Sequence, residues 1–124
     1  MKPQIGIWID PHQAILVTNP EHHADISRVV AAHAPQENAY ARASRYQEAA
    51  TAEAFYDDVV DHLRDASALL LVGPGAAKFD LQERLVAHGL GDLIIGVEST
   101  EAMTDCQLVM AVRQYFHEAA VMIC

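Results

Sequence analysis

The stretch Leu69-Leu70-Leu71-Val72-Gly73-Pro74-Gly75-Ala76-Ala77-Lys78 constrains the fold more than any other part of this chain. Four consecutive large apolar residues leave neither side of a strand for water, so the segment has to lie between two layers, as strands do in the parallel part of an α/β sheet. The glycines and the proline then stop the strand and hand the chain to a helix whose first backbone N–H groups have no partner within the helix. Such a strand needs neighbours on both sides and helices on both faces.

With 124 residues the chain is expected to form a single domain spanning 1–124. No apolar run reaches the roughly 18 residues of a membrane span, and the N-terminus lacks the apolar core of a signal peptide, so no membrane contact and a cytoplasmic location are expected. Cys106 and Cys124 fit neither a disulfide framework nor a metal-ligand spacing. Eight Lys and Arg against seventeen Asp and Glu give a formal charge of −9, which disfavours unspecific attraction to a phosphate backbone. One stretch departs from this balance: Arg28, Arg42 and Arg45 lie where Glu37 is the sole acid between Ile26 and Gln47.

Along the chain, Ile5, Ile7 and Ile9 alternate through a first strand, Asp10-Pro11-His12-Gln13 supplies turn chemistry, and Ala14 to Thr18 returns. Asp25 to His33 is β-branched enough for a third strand. From Ala34 to Ala49 no period is sustained, and residues 34–49 read as an exposed loop. Thr51 can cap a helix with Ala54, Phe55, Val59, Leu63 and Ala66 on one face, and Asp57, Asp58, Asp61 and Asp65 on the other. Ser67 to Val72 is the buried strand, and a helix over Ala76 to His88 carries Phe79, Leu81, Leu85 and Val86 before Gly89 stops it. Asp92 to Val97 gives a fifth strand, and Thr104-Asp105-Cys106-Gln107 is a capping box that opens a helix through Leu108, Val112, Tyr115 and Phe116. Ala119 to Cys124 reads as a frayed tail or a short added strand. The order is therefore β-β-β-α-β-α-β-α: a three-stranded antiparallel meander, then parallel crossovers that place helices on the sheet faces. This is an α/β, ribonuclease-H-like order with a mixed sheet.

Gly6-Ile7-Trp8-Ile9-Asp10 opening a hairpin, the polar stretch before an acidic helix, Gly73-Pro74-Gly75-Ala76-Ala77-Lys78, and Val97-Glu98 followed by Met103-Thr104-Asp105 together resemble the middle domain of archaeal and eukaryotic peptide-release factors and of Pelota. They are similar also to small bacterial proteins built from that domain alone, called translational-machinery-like. The resemblance spans about Gln4 to Phe116. It implies a translation-linked partner, the ribosome or RNA. In release factors the loop between the third strand and the first helix carries a Gly-Gly-Gln tip; here that loop reads Ala34-Pro35-Gln36-Glu37-Asn38, so the resemblance does not imply peptide release. Pelota-like relatives also lack the tip.

The candidate sites follow from residue chemistry. Tyr40, Arg42, Arg45 and Tyr46 are candidates for RNA contact, because guanidiniums suit phosphates and tyrosines suit bases; an ordinary surface loop is the plainer alternative. Gly73, Gly75 and Lys78 are candidates for an anion site at a helix start, although the same glycines serve a sharp turn with Lys78 in solvent. Asp10 with Asp57, Asp58 and Asp61 supplies part of a two-metal nuclease set, but an Asp-Pro turn gives Asp10 a hairpin role and Gly73 stands where a further acid is needed. Trp8 is read as core or interface rather than a base-stacking platform. His22, His23, His33 and His12 complete no metal spacing, and Cys106 is read as packing. No catalytic residue, metal or cofactor is expected. The leading expectation is a non-catalytic binding module in translation. The alternatives are a homo-oligomeric or small-anion-binding protein and a metal-dependent nuclease.

Overall fold

The computed structural model describes residues 3–20, 24–30 and 44–123, with the side chains of 44–53 and 118–123 outside that description. Asp10 organises the first hairpin, in which β1 (Gln4–Ile9) turns into β2 (Gln13–Thr18). Its Oδ1 accepts the backbone N–H groups of His12 and Gln13, both at 2.8 Å, while its own N–H donates to the Gln13 carbonyl at 3.0 Å. β3 (Asp25–Val30) pairs antiparallel with β2. β4 (Ala68–Gly73) and β5 (Ile94–Ser99) extend the other side in parallel, giving the order β3-β2-β1-β4-β5. The fold is α/β, with a five-stranded mixed sheet and three helices: α1 (Ser44–Leu63), α2 (Ala77–Ala87) and α3 (Asp105–Ile123).

The strand period of two splits the core into layers. On one face Ile5, Ile7, Ile9, Leu69 and Leu71 meet Phe55, Val59 and Leu63 of α1 and Leu81 and Leu85 of α2. On the other, Trp8, Ile15, Val17, Leu70 and Val72 meet Leu108, Val112 and Phe116 of α3. The apolar run Leu69–Val72 is buried on both sides, which its composition requires. α3 comes close because Gly6 has no side chain: a Cβ there would lie 2.5 Å from both methyls of Val112.

Two expected helix signals are realised in hydrogen bonds. The N–H groups of Gly89 and Leu90 donate to the carbonyls of Val86 at 3.0 Å and Leu85 at 2.8 Å, and Gly89 takes a φ of +77° that glycine accepts without strain. At α3, Thr104 N–H donates to Gln107 Oε1 at 3.0 Å and Gln107 N–H to Thr104 Oγ1 at 3.2 Å, a reciprocal box.

Other boundaries depart from the sequence reading. α1 begins at Ser44, seven positions before Thr51, so the loop expected over 34–49 gives way to helix within it. Ala54, placed by period on its apolar face, is exposed, whereas Phe55 is buried. Phe79 and Val86, placed by period on the apolar side of α2, are 50% and 61% exposed. β5 starts two residues later than Asp92, after a 3-10 turn at Gly91–Leu93, and runs on through the polar Glu98 and Ser99. The segment from Ala119 continues α3 to Ile123 and is neither a tail nor a strand.

Candidate functional site

The carboxyl ends of β1, β4 and β5 meet where the long apolar strand stops. Gly73 ends β4 against β1, so close that a Cβ would overlap the Ile9 carbonyl oxygen. The Thr100 N–H donates to the Gly73 carbonyl at 3.0 Å, and Trp8 Nε1–H to the Glu101 carbonyl at 3.1 Å. This edge is held together by one main-chain hydrogen bond and one from the Trp8 indole.

Lys78 differs from its expected place in solvent. It is 2% exposed, donates through Nζ to the Gly75 carbonyl, and sets that nitrogen 4.7 Å from the centre of the Phe79 ring. Its ammonium closes the Gly73-Pro74-Gly75 turn from inside, and the half-exposed Phe79 screens it from water. The three anion-site candidates are thus brought together, with the cation directed inward at a carbonyl rather than outward at the turn's mouth. Pro74, Gly75 and Ala76 are exposed.

The carboxylates are dispersed. Asp10 Oδ1 is occupied by the hairpin N–H groups. Asp57 pairs with Arg84 at 3.3 Å and His88 at 3.7 Å, and Asp61 with Arg64 at 3.0 Å. Among the described residues no group of three or more His, Cys, Asp or Glu is arranged to hold a metal. The Asp10 geometry yields a direct expectation. Asp10→Asn keeps a side-chain oxygen for both N–H groups and leaves thermal stability nearly unchanged, whereas Asp10→Ala loses both bonds and costs about 1–2 kcal/mol in denaturant unfolding.

Trp8 is 4% exposed and packs under α3, so it belongs to the core. Tyr56 lies between α1 and α2 with its hydroxyl 3.5 Å from Asp80; burial, and then the Asp80 carboxylate, raise its pKa above the usual phenol value. Cys106 is exposed on the first turn of α3 rather than packed.

Of the RNA-contact candidates, Tyr40 and Arg42 lie outside the described residues, as do His22, His23 and His33, while Arg45 and Tyr46 fall in the first turn of α1. The described cations are engaged elsewhere. Arg28 pairs with Asp105, Arg64 with Asp61 and Arg84 with Asp57; Lys78 bonds the Gly75 carbonyl, and Arg113 Nε–H donates to the Pro20 carbonyl at 2.7 Å. Glu98, named in the sequence only as part of the resemblance, and Thr100, not named there, both line a crevice under α3; their i, i+2 spacing at the end of an apolar strand was the available signal.

No protein-family description and no curated protein matches this sequence. Solved structures do match. Against the Pelota protein of Thermoplasma acidophilum the TM-score is 0.56 at 20% identity, covering 87% of this chain and 30% of that one. Against Archaeoglobus fulgidus Pelota it is 0.61 at 13% identity, covering 91% and 31%. Against an archaeal translation termination factor it is 0.64 at 12% identity, covering 98% and 39%. The chain therefore spans 30–39% of the length of these proteins. The resemblance drawn from Gly6–Asp10 and Gly73–Lys78 is matched in the fold.

Proposed function

We propose that this chain, sharing a fold with Pelota and an archaeal translation termination factor, is a non-catalytic binding module of translation that contacts ribosomal RNA. The likeness over 87–98% of the chain carries this reading. The mixed sheet is taken as ribonuclease-H-like and the cytoplasm as the place of action. Peptide release is not part of the proposal, because Ala34-Pro35-Gln36-Glu37-Asn38 offers no paired glycines. Two-metal cleavage is not part of it either, since Asp10 is committed to its hairpin.

Electrostatics narrow where RNA would be met. Of the eight Lys and Arg in the chain, the five with described side chains are bonded as above. The remaining three are Lys2, Arg42 and Arg45, and the proposal assigns phosphate contact to the two arginines, which Tyr40 and Tyr46 flank in the sequence as residues suited to stacking. With a net charge of −9, this contact has to be local and steeply salt-dependent.

The test is sedimentation of the tagged protein, at native expression level, through sucrose gradients. At low salt it is expected to migrate with ribosomal particles, to leave them at high salt, and to lose most of the association in the Arg42→Ala/Arg45→Ala variant. Confinement of the wild-type protein to the light fractions at low salt overturns the reading. Unaltered association of the double variant removes the assigned contact.

A further inference from the structure

Lys78 and Phe79 occupy each other's expected places. The lysine is 2% exposed and the phenylalanine beside it 50%, although burying an ammonium and leaving a ring in water both run against the usual preference. The ammonium lies over the ring, 4.7 Å from its centre, which leaves the opposite face of the ring to solvent. That face is open. The turn ahead of it, Pro74, Gly75 and Ala76, is exposed, and a Cβ at Gly75 would meet nothing within 4 Å.

The ring also stands at the foot of α1. Tyr56 meets Asp80, the neighbour of Phe79, at 3.5 Å. Both helices run back from the carboxyl ends of parallel strands, α1 from β3 and α2 from β4, and Tyr56 lies deep in α1 whereas Asp80 lies in the first turn of α2. The opening turns of α1 therefore extend past the start of α2, with Tyr46 about 15 Å of helix before Tyr56.

Charge selects the occupant. Asp80 and Glu83 on α2, in a chain of net charge −9, disfavour a phosphate beside Phe79, so a contact here suits an uncharged planar group. An ammonium on one face draws the π electrons of the ring toward itself, which favours an electron-rich ring on the other face and gives an aliphatic side chain no such gain. We propose that Phe79 is a stacking platform for an unpaired base of ribosomal RNA, reached by the same strand that Arg45 and Tyr46 meet at the start of α1. This rests on the RNA reading above and adds a base contact to its phosphate contacts.

Co-pelleting of the full chain with purified ribosomes, over a range of ribosome and salt concentrations, tests it. Phe79→Ala and Phe79→Leu are expected to weaken association about five-fold or more, and Phe79→Tyr to keep wild-type affinity; circular dichroism checks that each is folded, with leucine retaining an apolar cover over Lys78. The salt slope is unchanged in all three, since no phosphate contact is removed, whereas Arg42→Ala/Arg45→Ala lowers it. Retained affinity in Phe79→Leu with loss in Phe79→Ala identifies an apolar protein contact and overturns the stacking role. Wild-type affinity in both, or a lowered salt slope in either, also overturns it while leaving the RNA reading in place. Wild-type protein that fails to pellet at low salt overturns both.

Discussion

Gly73→Ala lowers the melting temperature by roughly 12 °C, from a loss of about 3 kcal/mol in a domain of this size. The added methyl has no room, because its place coincides with the Ile9 carbonyl oxygen of the neighbouring strand. Backbone cannot swing aside as the tip of a side chain can, so β1 and β4 must separate at the point where the Thr100 N–H also bonds the Gly73 carbonyl. Gly75→Ala is the control. Nothing lies within 4 Å of a Cβ at Gly75, and that variant stays within about 0.5 kcal/mol of the wild type. Thermal unfolding followed by circular dichroism separates the pair. Equal effects from the two substitutions would show that the turn, rather than the strand contact, requires glycine.

Trp8→Ala costs about 3–5 kcal/mol, the usual range for emptying a buried aromatic site. Trp8 fills the layer between Ile15, Leu70 and α3 and anchors the Glu101 carbonyl through Nε1. Trp8→Phe retains most of the packing but leaves that carbonyl without its donor, and costs about 1–2 kcal/mol. Because Trp8 is the sole tryptophan of the chain, emission of the wild type reports unfolding, while the variants are followed by circular dichroism in denaturant. A base-stacking platform predicts the opposite pattern, with stability retained and RNA binding lost. Stability of Trp8→Ala within 1 kcal/mol of the wild type, as a rough threshold for a surface site, would return Trp8 to that role.

What could be read in advance depended on whether a residue type has one physical solution. Leu69–Val72 has one, burial on both faces, and it lies beside the central β1. Asp10 before a proline, Thr104 with Gln107, and Gly89 after an apolar helix each announced the hydrogen bonds they make. The start of α1 was not legible by apolar period because the sequence from Ser44 to Glu53 holds no large aliphatic residue; only the helix propensity of its alanines, Gln47 and Glu48 marked it. β5 was cut short for the related reason that Glu98 and Ser99 lie at a sheet edge, where polar residues are admissible. Lys78 was misjudged because its sequence neighbours give no hint of the Gly75 carbonyl waiting inside the turn, nor of Phe79 turning outward to cover it.

The asymmetry of the two helical layers also has a temporal side. α1 and α2 are woven between strands, so their face of the sheet is roofed as the strands are laid down. The face bearing Trp8, Ile15, Val17, Leu70 and Val72 waits for α3, which follows every strand in the chain. During synthesis, a nascent chain that has emerged only as far as Met103 has all five strands and a bare apolar strip across their middle. Such a strip invites chaperone capture or self-association, and emergence of the helix that follows removes it.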